Sequence, residues 1–558
     1  MTGVQTCALP ICNTGIYQLN VNGTVYLNGS GDYIQIYLRN YYSASHSNNN
    51  GKTSVNSYLA ATFLNNNTNT NNFKYNLPQL PKTTAGTGTL GCIFIYKNQL
   101  YTQGYGQNYG PFATSNVNNL TPTLVAINNT GAVINGWDDV VYTYDDAIAL
   151  TTEGRVFEWG ARSGVYIATE VSFPAGVTIS KIYGPSRRGG SDSSCTFFAI
   201  AADGQLYSWG NNSWGQLGNN TFTNSNTPVA IPSLTGKVVT QVSVSGNRGM
   251  HIGCIDNTGQ AYVWGYAGSI ANCNPFGNGG TNVSISVPYA VPSITNATKI
   301  ICSGQYETTY NRSRNFTLIL RSNNTVWGCG TNDNGQLGDG TTTNRNVFVQ
   351  AIYSAGNPVT NAFDIYAGET VGGASVIIDT SGILHFAGYS NNNCFGDGSG
   401  VINHNNFTNT TTLNNAGFQG KMLYSSATGI QPKVIIGGTC SLGYNYTIVL
   451  DNTGTLWGCG ENGAGNIGNG TLSDTTTFQK ALINNANGAR VVDFVLVGYP
   501  SSTTDYGTIV VMSDGSMMAT GRNYYGAHTI YTTATWHAYF SHRNRIIGCH
   551  CSDTSFVG

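Results

Sequence analysis

The chain has 558 residues, a net charge of −1 and only 9% charged side chains, far below the roughly 25% usual in soluble proteins. Its 24 Lys and Arg are spread thinly, which argues against nucleic acid as a partner, since that needs a dense basic footprint. No window approaches the roughly 18 uninterrupted apolar residues of a membrane-spanning helix, so membrane insertion is not expected and Asn, Thr, Ser, Gly and Tyr must supply the polar surface.

In chain order, "MTGVQTCALPI" (Met1 to Ile11) has no basic leader and almost no apolar core. It resembles the translation of a sequencing-library adapter, and residues 1–12 are set apart as a segment without a fold. Residues 13–84 carry a first hairpin, turning at Gly23, and an Asn-rich insertion around Asn65 to Asn72 expected to be a solvated loop. Residues 85–545 hold eight more hairpins, and residues 546–558 open a further, incomplete one. The chain is expected to be cut at both ends.

The hairpins repeat on fixed offsets. Their turn anchors are Gly23, Asn98, Gly154, Gly204, Gly259, Asn324, Gly382, Gly454 and Gly515. Four residues before each stands an apolar side chain, such as Ile200, Leu320 or Leu450. Two residues after stands another, such as Leu206, Val326 or Leu456. Three after, the residue is aromatic (Tyr207, Trp327, Trp457), except for His385 and Met518. Six after it is always Gly, from Gly29 to Gly521. An apolar strand, a Gly/Asn/Asp turn and a returning strand make a β-hairpin. The invariant Gly implies a close backbone approach. One hairpin cannot bury both faces, whereas an array of them can. Units of this length fit propeller blades better than β-helix coils.

After the invariant Gly comes G-x-N-x-x-G-Q-L-G, intact at Gly210 to Gly218 and Gly330 to Gly338 and degraded at Gly388 to Gly396 and Gly460 to Gly468. On these residues the chain resembles the RCC1 (regulator of chromosome condensation) repeat family. That resemblance implies an all-β fold, an RCC1-like β-propeller with seven blades per ring, which leaves nine hairpins and a partial tenth in excess of one ring. The family's Trp before the invariant Gly stands at Trp159, Trp209 and Trp264. It is replaced by Cys329, Ala387, Cys459 and Thr520, and earlier by Asn28 and Gln103.

The repeated residues are architectural, so function must lie in what differs between units. Asp138, Asp139, Asp145 and Asp146 offer carboxylates for acid–base work or Ca²⁺, but read better as turn and loop residues. Asp333 and Asp339 lack the acidic series of an EF-hand. His537, His542, Cys549 and Cys551 carry zinc-ligand chemistry at poor spacing. His385 holds an aromatic position and is expected in the core. The thirteen Cys are mostly isolated and are expected as small buried hydrophobes. No nucleophile elbow, H-E-x-x-H or P-loop occurs. The expectation is therefore a non-enzyme, with no catalytic, cofactor or metal residue assigned. Neutral hydrogen bonding and aromatic loop residues such as Trp214 and Tyr389 point to a binding platform for a surface glycan or protein ligand. The family resemblance places such chains extracellularly, on a phage virion or bacterial cell surface, among other virion or envelope proteins. It offers a secreted protein inhibitor, like the RCC1-like β-lactamase inhibitors, as the alternative. Nucleotide exchange on the GTPase Ran needs charged surfaces that this composition hardly supplies.

Overall fold

A computed structural model of the chain describes residues 35–38, 59–62 and, with internal gaps, 91–540. The chain divides into two units, Met1–Pro78 and Gln79–Gly558. In the first, Gln35–Leu38 pairs antiparallel with Leu59–Thr62, ahead of the Asn65 to Asn72 stretch. The first hairpin, at Gly23, lies outside the described residues, as do residues 1–12 and 546–558.

The second unit is all β. Its strands form eight sheets over residues 91–124, 137–170, 179–230, 239–290, 297–350, 362–409, 433–480 and 491–540, here called blades 1 to 8. Each of blades 2 to 8 is a four-stranded antiparallel meander in chain order, and blade 1 shows three strands. The eight anchored turns from Asn98 to Gly515 lie in these blades, between the strands expected to flank them. In blade 5, for example, Arg312–Arg321 returns through Asn324 as Val326–Gly330, with Leu320 opposite Val326. Asn98 and Asn324 take positive φ (61° and 62°) where other blades use Gly, as a tight turn requires.

The invariant Gly ends the third strand. In blades 3, 5 and 7 it has φ of 112°, 104° and 99° at Gly210, Gly330 and Gly460. A Cβ there would strike the carbonyl oxygen of Cys195, Asn315 or Asn445 on the neighbouring strand. No other residue type fits both constraints.

Eight apolar clusters hold the blades together, each shared by two successive blades. The last joins Phe94 of blade 1 to Val495, Ile509, Val511, Met517 and Ala519 of blade 8. Blade 8 thus packs on blade 1 and the ring is closed. The expectation of seven blades per ring is corrected to eight. The repeat specifies each hairpin, but ring size depends on the wedge angle between blades, which emerges only when the last sheet meets the first. First strands of successive blades adjoin one another and so line the axis.

The joint between blades explains the departures from the family Trp. Trp264 of blade 4 is fully buried. Its Nε1 donates to the Gln216 carbonyl at 2.8 Å and lies against Gly218 of blade 3. Where the third strand carries Cys329, Ala387, Cys459 or Thr520 instead, the fourth strand of the same blade supplies Phe348, Phe407, Phe478 or Trp536. Phe348, Phe407, Phe478 and Trp536 then cover Gly277, Gly338, Gly396 and Gly468 of the preceding blade. Blades 3 and 4, which keep the Trp, have Pro228 and Pro288 at that fourth-strand place. The ring volume is conserved while its donor strand changes.

Candidate functional site

In each meander the loops between strands one and two and between strands three and four emerge at one end of the ring. The third-to-fourth loops are the G-x-N-x-x-G-Q-L-G segments and their continuation. In blade 3 the loop closes around one amide. Asn212 Nδ2 donates to Asn219 Oδ1, the Thr221 carbonyl, Thr221 Oγ1 and the Thr223 carbonyl at 3.0–3.2 Å. Asn212 Oδ1 accepts from Leu217 N–H, and Asn224 Oδ1 accepts from Asn212 N–H. Asn332 in blade 5 and Asn462 in blade 7 repeat this arrangement. All three Asn are fully buried. Buried amides with all their partners rigidify a loop, so these loops are braced platforms.

What the platforms present differs from blade to blade. Two or three residues before the fourth strand stand Phe222 (blade 3), Val283 (blade 4), Ile402 (blade 6) and Leu472 (blade 7), exposed by 54%, 62%, 51% and 52%. Blade 5 places Thr342 there. Trp214, also exposed, rests on Tyr266 of blade 4 with ring centroids 4.2 Å apart. The opposite end carries Val133, Val238 and Tyr424 in links between blades, at no shared offset, whereas Leu482, also exposed, lies against Gly468 and Gly470 of the blade 7 loop. Apolar side chains held in water on the same loop of four blades mark a contact surface.

The residues singled out in the sequence take these places. Trp214 is on the loop end as expected, whereas Tyr389 is half-buried. Asp139 is in the first strand of blade 2, and Asp146 is fully buried in the second. Asp339 pairs with Arg345 at 2.6 Å and accepts from Asn332, and Asp333 faces Arg314 at 3.6 Å; both brace the blade 5 loop. His385 Nε2 meets Asp379 Oδ2 at 3.1 Å, and its ring packs on Tyr353. Tyr262 and Trp457 make the same contact with Asp256 and Asp451 in blades 4 and 7. His385 therefore fills an aromatic slot in the blade. Burial would raise the Asp379 carboxyl, and hydrogen bonds from His385, Ile383 and Ser381 outweigh it and hold the pKa low. The side chain of His537 and residues His542, Cys549 and Cys551 lie outside the described residues. Among the described residues no three His, Cys, Asp or Glu group to hold a metal. Cys195, Cys254, Cys273, Cys302, Cys329, Cys394 and Cys459 are buried and outside any disulfide, and burial pushes the Cys302, Cys329, Cys394 and Cys459 thiols up.

One loop differs in chemistry. In blade 3, Asn211 Oδ1 accepts from Gln216 Nε2 at 2.9 Å. Blade 7 has Glu461 and the shorter Asn466 at those places, and Asn466 donates to the Glu461 carbonyl instead. Glu461 Oε2 is buried without a donor. Burial, with Asp474 adding to it, raises its pKa to about 7.

Comparison with known proteins agrees with the repeat. Two models of the regulator of chromosome condensation (RCC1) repeat match residues 203–250 and 313–336. Over 208 residues the chain is 30% identical to the probable E3 ubiquitin-protein ligase HERC6 of Homo sapiens, covering 35% of this chain and 18% of that protein. It is 29% identical over 130 residues to the mitochondrial RCC1 domain-containing protein RUG3 of Arabidopsis thaliana, 22% of this chain and 27% of that one. The matches thus span about a quarter or less of these relatives. The crystal structure of human WBSCR16 superposes with a TM-score of 0.50 at 15% identity, over 74% of this chain and 98% of that chain.

Proposed function

Because the chain belongs to the RCC1-like repeat family, we propose that it is a non-enzymatic binding propeller whose braced third-to-fourth loops engage a protein ligand at a virion or bacterial cell surface. The observation that carries this reading is that Phe222, Val283, Ile402 and Leu472 stand exposed two or three residues before the fourth strand, on the third-to-fourth loops of four blades. A constant scaffold with a varied, solvent-held apolar rim is how repeat proteins build recognition surfaces. Three of the four rim residues are aliphatic, which suits a protein better than a sugar ring, whose recognition favours aromatic stacking. The low charge and Asn/Thr-rich surface support an extracellular or virion setting. Exposing the purified chain to arrays of envelope proteins and of glycans tests the reading. Selective capture by a protein, weakened at least ~10-fold by Phe222→Ser with Leu472→Ser, is expected. Capture by glycans alone, or protein binding indifferent to both substitutions, would reject it.

A further inference from the structure

One place on the loop end carries Asn or Asp in five blades. Directly after the last Gly of the third-to-fourth loop segment stand Asn219, Asn278, Asp339, Asp397 and Asn469, in blades 3 to 7. The next residue is Asn220 in blade 3 and glycine in the other four, always at positive φ, from 63° at Asn220 to 82° at Gly340 and Gly470. In blades 3 to 6 its N–H is tied to the fourth strand of the following blade. Asn220 donates to the Ser286 carbonyl, Gly279 to that of Asn346, Gly340 to that of Asn405 and Gly398 to that of Thr476, at 2.7–3.0 Å. Blade 7 breaks the series. Among the described residues the Gly470 N–H has no acceptor. The blade that follows, blade 8, pairs its fourth strand through two register shifts where blades 3 to 7 have one. Gly470 is also exposed.

Asn followed by Gly is the step at which a side-chain amide is most easily attacked by its own backbone, since Gly puts no Cβ in the way. Five such steps lie among the described residues, at Asn135, Asn278, Asn334, Asn462 and Asn469. In four of them the glycine N–H is engaged. Gly136, Gly279 and Gly335 donate to the carbonyls of Asn98, Asn346 and Asn332, and Gly463 donates to Glu461 Oε1 at 3.1 Å. Gly470 alone of the five is unengaged. We propose that Asn469 is a self-modification site that loses its amide through Gly470. The Gly470 nitrogen gives its proton to water and attacks Asn469 Cγ. The Cγ–Nδ2 bond breaks, Nδ2 leaves as ammonia, and a succinimide closes. Water then opens that ring at either carbonyl and leaves an aspartyl or an isoaspartyl residue. Water is the one co-reactant, and nothing is oxidised or reduced. Asn469 Oδ1 accepts from Asn462 Nδ2, Thr471 N–H and Thr471 Oγ1 at 2.9–3.1 Å, and these donors polarise the carbon under attack.

The loop can hold the aspartyl product. Asp339 Oδ1 accepts the same three donors in blade 5, from Asn332 and Thr341 at 2.8–3.0 Å. The charge balance differs, however. Asp339 and Asp397 meet Arg345 at 2.6 Å and His404 at 2.8 Å, each the first residue of its fourth strand. Blade 7 begins that strand with Thr475, preceded by Asp474, so the new carboxylate finds no base at that place. The isoaspartyl product routes the main chain through Cβ and lengthens it, which pulls the Asn462 brace apart just ahead of the exposed Leu472. A chain that has aged therefore presents a different blade 7 loop from a fresh one.

The test incubates the full folded chain in mildly alkaline buffer and follows every Asn-Gly peptide by mass spectrometry, separating aspartyl from isoaspartyl forms by chromatography. Conversion at Asn469 should outpace that at Asn135, Asn278, Asn334 and Asn462 by at least ~10-fold, because those four must first give up a hydrogen bond. In denaturant the five should convert at similar rates, which ties the selectivity to the fold. Asn469→Gln, whose longer side chain cannot close the five-membered ring, should abolish the change in that peptide alone. Equal rates at the five steps of the folded chain would overturn the proposal. So would faster conversion at any of the four engaged steps, or an Asn469 that stays intact in the folded chain while the denatured chain converts.

Discussion

Trp264→Cys tests whether blades are joined by conserved volume. Trp264 is fully buried between blades 3 and 4 and closes over Gly218 beside Pro288. Large aromatic to small substitutions in a core cost about 3–5 kcal/mol. The new thiol can still donate to the Gln216 carbonyl, as Cys329 Sγ does to the Pro275 carbonyl at 3.2 Å, so the lower end, ~3 kcal/mol, is expected. The ring unit runs from Gln79 to Gly558. At roughly 2.1 cal/mol/K per residue its melting entropy is ~1 kcal/mol/K, and the shift should be ~3 °C. Pro288→Phe alone overpacks the joint and should cost ~1–3 kcal/mol. Together the two changes recreate the Cys329 and Phe348 pairing of blade 5, and the double variant should melt within ~1 °C of the parent. Differential scanning calorimetry of the four proteins measures this. Additive losses would refute the idea that the third-strand Trp and fourth-strand Phe are interchangeable donors of one volume.

The raised pKa of Glu461, about 7, means that the folded state holds its proton more tightly than the unfolded one. Stability from this group is full below about pH 4.5 and falls as pH rises toward 7, by up to about 3 kcal/mol. Glu461→Gln should flatten that part of a melting-temperature profile and stabilise the chain above pH 7; an unchanged profile would contradict it. The thiols of Cys195, Cys254, Cys273, Cys302, Cys329, Cys394 and Cys459 are buried and should resist iodoacetamide until the chain unfolds, as peptide mass spectrometry would show. Asn332→Ala removes the amide that ties the blade 5 loop to Asp339, Thr341 and Thr343. It should cost ~2 kcal/mol or more and speed exchange across residues 331–344.

Much of the fold is legible in the offsets around each turn. The apolar position four before and the Gly six after locate second and third strands in eight described blades, because both report short-range constraints, a paired strand and a backbone with no room for a Cβ. Ring size was not legible, since it depends on interfaces such as Phe94 against Val511 that join residues some 400 apart. The loss of Trp at Cys329, Ala387, Cys459 and Thr520 reads as decay when the third strand is aligned alone. Extending the alignment to the fourth strand would have exposed Phe348, Phe407, Phe478 and Trp536, and also the rim residues just before it. His385 could be placed because its slot is aromatic in neighbouring repeats, whereas the half-burial of Tyr389 depends on packing that its own repeat does not encode.

The proposed function requires the loop end of the ring to be the binding surface. The most direct measurement compares ligand affinity of two variants, one with Phe222, Val283, Ile402 and Leu472 changed to Ser, the other with Val133, Val238 and Tyr424 changed to Ser. With both folded by circular dichroism, the first should lose at least ~100-fold in affinity and the second less than ~3-fold. Equal losses, or a loss confined to the second, would place the contact surface elsewhere and contradict the account.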